Sequence, residues 1–218
     1  MKVLCVHGWA LSPQMWQAMN HRLIDHVDGL EIECANLGFD GDIQIPRGHF
    51  DLVVGHSMGV LWLLDNPELT FDRLVAINGF TKFCETPDMP SGCPQAVVDQ
   101  MCERLLSDQS QLLKDFYDNA GVTGNTSQFG LNSTAVDTAQ LDSALADLIR
   151  VDGREQWTNF DGPRSVIAAT GDRIVRKEHT QTCFPDEDIR WVESDCHCLP
   201  AKFPDVCAEV IRELIEVR

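Results

Sequence analysis

The stretch Phe50-Asp51-Leu52-Val53-Val54-Gly55-His56-Ser57-Met58-Gly59-Val60-Leu61-Trp62-Leu63-Leu64 changes period at its middle. Phe50 to Val54 is a short apolar run rich in β-branched residues, which reads as a buried strand. Met58 to Leu64 reads as a helix. Between them Ser57 stands in a Gly-x-Ser-x-Gly pattern, Gly55 to Gly59. A serine raised on a sharp strand-to-helix turn has a strained backbone and tight neighbours, so the flanking positions need residues without a Cβ. The pattern alone is common; its strand and helix context makes it a candidate nucleophile.

Outward from this junction, further β-branched runs alternate with helical stretches, the signature of βαβ units and a parallel sheet. Strands are expected at Lys2 to Val6, Leu30 to Cys34, Phe50 to Val54, Arg73 to Ile77, Arg164 to Ala169 and Asp188 to Val192. Ser12-Pro13 reads as an N-cap followed by proline at the first helical position, starting a helix through about Leu23. Pro204 to Val217 reads as an amphipathic C-terminal helix. The strand rhythm stops between Asn78 and about Arg154, where Val97, Met101 and Leu105, then Leu112, Leu113 and Phe116, then Leu141, Leu145 and Leu148 recur at helical spacing. That segment is expected to be a helical cap of about four helices, with the polar Gly121 to Ser133 connecting two pairs. The predicted architecture is α/β: a mostly parallel sheet of about six strands in one domain, core 1–78 and 155–218, cap about 79–154.

Three more elements fall at strand ends. Val6-His7-Gly8-Trp9 closes the first strand and can aim the Trp9 N–H at a substrate carbonyl while the Met58 N–H points there from its helix start, two donors for an oxyanion. Asp172 lies three residues past the Arg164–Ala169 run, and His197 five residues past Val192. Parallel strand ends open on one side, so Ser57, Asp172 and His197 can converge there. The types match the chemistry: a serine hydroxyl needs an imidazole to take its proton, and the imidazole needs a carboxylate on its other nitrogen. Ser, Asp, His is also the chain order of α/β-hydrolases.

Of the other candidates, Asp195 reads as a loop former, His56 as pointing away from the nucleophile, and His7 as a donor behind the oxyanion loop. His21, His26, His49 and His179 read as surface residues. Cys196-His197-Cys198 offers zinc-type ligands, but neighbours on one short stretch cannot all converge tetrahedrally and no second cluster stands at finger spacing. No metal or organic cofactor is expected.

Composition narrows the class. Lys+Arg number 17 against 34 Asp+Glu, a formal charge of −17, and such a field repels nucleic-acid backbones and anionic membranes. The nine cysteines show no Cys-x-x-Cys spacing and read as free thiols of a reducing compartment. With no leader-like segment and no long apolar run, a cytoplasmic location is expected.

The chain resembles the BioH-type esterases of biotin synthesis, which cleave the methyl ester of pimeloyl acyl carrier protein. The resemblance runs through Val6-His7-Gly8-Trp9-Ala10-Leu11 with Trp16, Asn36-Leu37-Gly38-Phe39-Asp40, the serine turn, Asp172 and His197. In the cap it covers Phe83, Met89-Pro90-Ser91-Gly92, Leu106-Ser107-Asp108-Gln109 and Phe116. It implies a triad of Ser57, Asp172 and His197, oxyanion donors at Trp9 and Met58, and an acyl pocket lined by Phe116 and the residues up to Ala120. It also implies an acyl carrier protein as partner. Two cap arginines that hold the carrier in such esterases stand here as Gln111 and Asp115. The segment 78–154 carries 5 basic and 11 acidic residues, and like charge on both partners slows docking. A general carboxylesterase unconnected with biotin, and a non-catalytic receptor on the same fold, are the rival readings.

Overall fold

The computed structural model describes residues 1–122, 131 and 135–216; most of the Gly121 to Ser133 connection lies outside them. In chain order, β1 (Lys2–Val6) leads through a 3-10 turn (Pro13–Trp16) into α1 (Gln17–Ile24), then β2 (Glu31–Ala35), β3 (His49–Phe50), β4 (Leu52–His56), α2 (Met58–Leu64), β5 (Thr70–Phe71) and β6 (Leu74–Ile77). Four helices follow, α3 (Gln95–Ser107), α4 (Gln109–Asn119), α5 (Thr138–Arg150) and α6 (Arg154–Asn159). The chain ends with β7 (Arg164–Ala169), α7 (Lys177–Cys183), β8 (Ile189–Val192), α8 (Leu199–Lys202) and α9 (Pro204–Glu216).

Six strands form one sheet in the order β2-β1-β4-β6-β7-β8, every pair parallel. Its strands alternate between two apolar layers because successive side chains point to opposite faces. Leu4, Val6, Val53, Leu74, Ala76 and Val166 face the layer beneath α2 and the cap. Val3, Cys5, Leu52, Val54, Val75 and Ile167 face α1 and α9. Burial on both faces explains why these strands read as continuous apolar runs.

Locally, the expected boundaries shift where polar residues intervene. The Phe50 to Val54 run is two strands, interrupted at Asp51, whose N–H donates to the Lys2 carbonyl at 2.9 Å while its carboxylate, in place of its backbone carbonyl, accepts the Lys2 N–H at 2.6 Å. β3 then pairs with β5 as a separate parallel ribbon. The helix expected from Ser12 begins with a 3-10 turn before α1. α6, α7 and α8 carry no apolar stripe that periodicity could detect. α4 and α5 are capped by Asp108 and Asp137, whose side chains accept the Gln111 and Gln140 N–H groups. Among the described residues no helix is long and apolar enough to cross a membrane.

Candidate active site

Ser57 follows β4 as the N-cap of α2, with φ 54° and ψ −125°. A non-glycine residue held at positive φ stores strain, and Ala10 (φ 53°) and Asn78 (φ 43°), in the loops after the neighbouring strands β1 and β6, also have positive φ. The turn closes only because its neighbours lack side chains. A Cβ on Gly59 would fall 2.2 Å from the Val6 carbonyl oxygen, and one on Gly8 would fall 2.8 Å from Cβ of Ser57. The second contact puts the Gly8-Trp9 turn directly against Ser57. Met58 opens α2 beside it, and among the described residues neither the Trp9 nor the Met58 N–H has an acceptor within the protein.

Asp172 and His197 come from the loops after β7 and β8. His197 Nδ1 and Asp172 Oδ2 lie 2.6 Å apart with both side chains fully buried. The other carboxylate oxygen accepts the N–H groups of Ile174 (2.8 Å) and Val175 (3.1 Å), which fixes the carboxylate plane. His197 Nε2 is buried and makes no hydrogen bond. The Nε2–Oγ bond to Ser57 is therefore not formed in this structure; such bonds often tighten only around bound substrate.

The His197 loop is tied down by Asn78, for which the sequence raised no expectation, and by His56, expected only to point away from Ser57. Asn78 Nδ2 donates to the His197 carbonyl at 2.6 Å and to the Cys196 carbonyl at 3.3 Å, while its Oδ1 accepts the Ala169 N–H at 2.8 Å. His56 Nε2 lies 2.9 Å from the same His197 oxygen, so it donates there, and its ring centroid lies 4.8 Å from that of His197. His56 thus points toward the His197 loop. Burial, then the neighbouring His197, hold its pKa well below the usual histidine range, so it stays neutral. Their only sequence signal was position: Asn78 directly follows β6 and His56 ends β4.

His7 sits behind the Gly8-Trp9 turn. Its Nδ1 lies 2.9 Å from the Gly8 carbonyl and its Nε2 accepts the Leu37 N–H at 3.2 Å. Burial lowers its pKa to about 4, against smaller opposing effects of the Gly8 carbonyl and Asp40. Asp195 is exposed and pairs with Arg173 at 3.1 Å. His21, His26 and His49 are exposed as expected, but His179 is buried: its Nε2 lies 2.8 Å from the Lys82 carbonyl under the cap. Nothing in its own helix marked it for burial, because the partner comes from a distant loop.

A cavity of about 240 Å³ opens over Ser57. Trp9, Met58 and Phe116 line it together with Phe80, Phe83 and Leu148. Phe116 packs edge-on against Trp9 with centroids 4.9 Å apart, and the Trp9 indole donates to the Leu141 carbonyl at 3.0 Å, joining the Gly8-Trp9 turn to helix α5. Ala120 is not part of the lining. It is fully buried, and its carbonyl accepts the His197 N–H at 2.9 Å, while its neighbour Asn119 faces the cavity. Gln111 and Asp115 hydrogen-bond each other, and Asp115 also holds Arg104, so this stretch of the cap is internally neutralised. Among the described residues the one grouping suited to a metal is His49, Asp51 and Asp72. These residues lie beside the N-terminal ends of the strands, away from Ser57, and His49 Nε2 already meets Asp72 at 3.2 Å.

No protein-family profile matches the sequence. Solved structures resemble the chain over nearly its whole length. An esterase from Exiguobacterium antarcticum superposes with a TM-score of 0.83 at 17% identity, covering 99% of this chain and 92% of that one. A bromoperoxidase from Bacillus anthracis gives 0.80 at 16% identity, covering 99% and 91%. A hydrolase from Pseudomonas aeruginosa gives 0.74 at 17% identity, covering 99% and 90%. A parallel six-stranded sheet, a serine turn after β4 and this set of neighbours together establish that the chain has the α/β-hydrolase fold.

Proposed function

We propose that the chain is a serine hydrolase of carboxylic esters. The observations that carry this reading are the buried Asp172–His197 pair, 2.6 Å apart, with the second imidazole nitrogen left unpaired, and a strained serine at the floor of a mostly apolar cavity. Asp172 holds the Nδ1–H tautomer, so Nε2 is the free base. Ser57 loses its proton to Nε2 as its oxygen attacks the ester carbonyl, and the N–H groups of Trp9 and Met58 receive the oxyanion. His197 then protonates the departing alcohol, and afterwards takes a proton from the water that releases the acid from Ser57. No metal or organic cofactor enters this sequence. The cavity, about 240 Å³ and lined mostly by apolar side chains, suits short and medium acyl groups.

The cap resemblance nominates the methyl ester of pimeloyl acyl carrier protein as a specific substrate, with the cytoplasm as the place of action; nine free thiols fit a reducing compartment. The neutralised Gln111–Asp115–Arg104 group offers that acidic carrier little attraction, so the broader ester-hydrolase reading is the conclusion. A fluorophosphonate probe tests it: Ser57 is expected to be labelled, and Ser57→Ala to lose label together with several orders of magnitude of esterase turnover. Turnover undiminished in that variant would exclude the mechanism. Absence of label would favour a non-catalytic receptor. Growth of a strain lacking its pimeloyl ester esterase, without added biotin, tests the narrow substrate.

A further inference from the structure

The segment that carries the chain from β6 into α3 holds two thiols side by side. Cys84 follows Phe83, Cys93 precedes Pro94 and the start of α3, and the two are partners in an isolated parallel bridge. The Cys93 N–H donates to the Phe83 carbonyl and the Cys93 carbonyl accepts the Glu85 N–H, both at 2.9 Å. Bridge partners stand about 5 Å apart at Cα with their side chains on one face, inside the roughly 4.4–6.8 Å that a disulfide spans. Both side chains pack into the apolar layer under α2 and the cap. The turn between them is already closed. Thr86 and Met89 exchange backbone hydrogen bonds at 3.2 and 2.9 Å, and a Cβ on Gly92 would fall 2.4 Å from the Glu85 nitrogen. A covalent link here therefore asks little further ordering of the folded chain. Access differs between the two sulfurs. Cys84 is buried, whereas Cys93 is partly exposed, on the wall of the Ser57 cavity and of an adjoining hollow of about 330 Å³ that also bears Ser91, Arg176 and His179. Cys5 and Cys34 stand in register too, but within the continuous ladder of β1 and β2 and with Cys5 wholly buried.

We propose that Cys84 and Cys93 are a modification site, forming a reversible disulfide by exchange with small disulfides, and that this link fixes the width of the cavity over Ser57. The Cys93 thiolate attacks one sulfur of the reagent and expels the other as a thiolate. The Cys84 thiolate then attacks the Cys93 sulfur of the mixed disulfide and expels the second thiolate. Two protein S–H bonds and one reagent S–S bond become one protein S–S bond and two reagent S–H bonds, so the small disulfide is the only oxidant required. Burial, then Cys84, push the Cys93 pKa up to about 11, so little thiolate exists near neutral pH and the pair stays reduced until the reagent is sustained. The link joins two walls of the cavity, Phe80 and Phe83 on one side and Val97 and Met101 of α3 on the other. With Cys93 tethered to Cys84, the start of α3 cannot move away from Phe83, and longer acyl groups lose the room that such movement gives. The effect on turnover rests on the ester-hydrolase reading; formation of the disulfide does not.

The test holds wild type and Cys93→Ser with millimolar oxidised glutathione at about pH 9, where exchange is faster. Alkylation of the remaining thiols and mass spectrometry are expected to show the wild type losing two more thiols than the variant, with no glutathione attached and full recovery in dithiothreitol. Equal losses in the two proteins, or glutathione left on Cys93, would overturn the pair. Turnover of p-nitrophenyl octanoate and p-nitrophenyl acetate then reads the cavity. Their kcat/KM ratio, octanoate over acetate, is expected to fall about tenfold or more in oxidised wild type and to stay unchanged in treated Cys93→Ser, since room for even one methylene is worth about that much. An unchanged ratio in wild type that carries the disulfide would overturn the control of width. If the reduced protein turns over neither ester and Ser57 takes no label, the hydrolase reading fails instead, and calorimetry with octanoate and butyrate takes the place of the kinetics. Octanoate binding weakened only in oxidised wild type supports the control of width, and equal binding refutes it.

Discussion

Replacing Asp172 by Asn separates orientation from shape. The carboxylate has two different jobs: Oδ1 accepts the N–H groups of Ile174 and Val175, and Oδ2 accepts from His197 Nδ1. An amide of the same shape cannot do both. Two backbone donors force its oxygen toward Ile174 and Val175, so its NH2 faces His197 and pins the proton on Nε2, where no proton from Ser57 can be taken. The wrong tautomer is expected to lower kcat by roughly 10⁴, about 5 kcal/mol of transition-state stabilisation. Exchanging a charge-assisted hydrogen bond for a neutral one in a fully buried pair is expected to cost about 1–2 kcal/mol of stability, which leaves the protein folded. Aryl-ester hydrolysis near pH 8 measures the first effect and urea unfolding the second. A folded Asp172→Asn protein retaining kcat within a factor of ten would refute the orienting role.

Asn78→Ala removes the donors to the His197 and Cys196 carbonyls and leaves the buried Ala169 N–H unpaired. It should destabilise by about 1–3 kcal/mol and, by loosening the His197 loop, lower kcat by at least about tenfold; a shifted unfolding midpoint with unchanged kcat would make Asn78 purely structural. His7 gives a pH signature. Its folded pKa of about 4 lies below the ordinary histidine value of about 6.5, so the unfolded chain binds the proton first as pH falls. Its contribution is complete above pH 6.5 and is lost progressively toward pH 4, about 3 kcal/mol in all. Urea midpoints across that range should flatten in His7→Gln, and an unchanged slope would show that His7 does not carry it.

Ser57, Asp172 and His197 were readable as candidates because each sits a few residues beyond an apolar run, and parallel strands bring their C-terminal ends to one rim; the Asp172–His197 contact is seen in the structure, while the Nε2–Oγ bond to Ser57 is not. α2 and β7 have the bounds read from periodicity for the same local reason, a clean pattern of burial on a single element. β3 and β5, two residues each, offered no pattern to read, and α7 is polar along most of its length.

What the sequence determined alone is therefore the order of elements and the residue types at their ends, both consequences of side-chain periodicity and turn chemistry within a few positions. Tertiary structure decided the rest: His56 and Asn78 reach the His197 carbonyl across 141 and 119 positions, His179 is buried against a carbonyl 97 positions away, and Arg173 and Arg176 come to the rim of the Ser57 cavity. Those contacts depend on how loops from separate strands pack in space, and nothing within a few neighbours of any one of these residues records that packing.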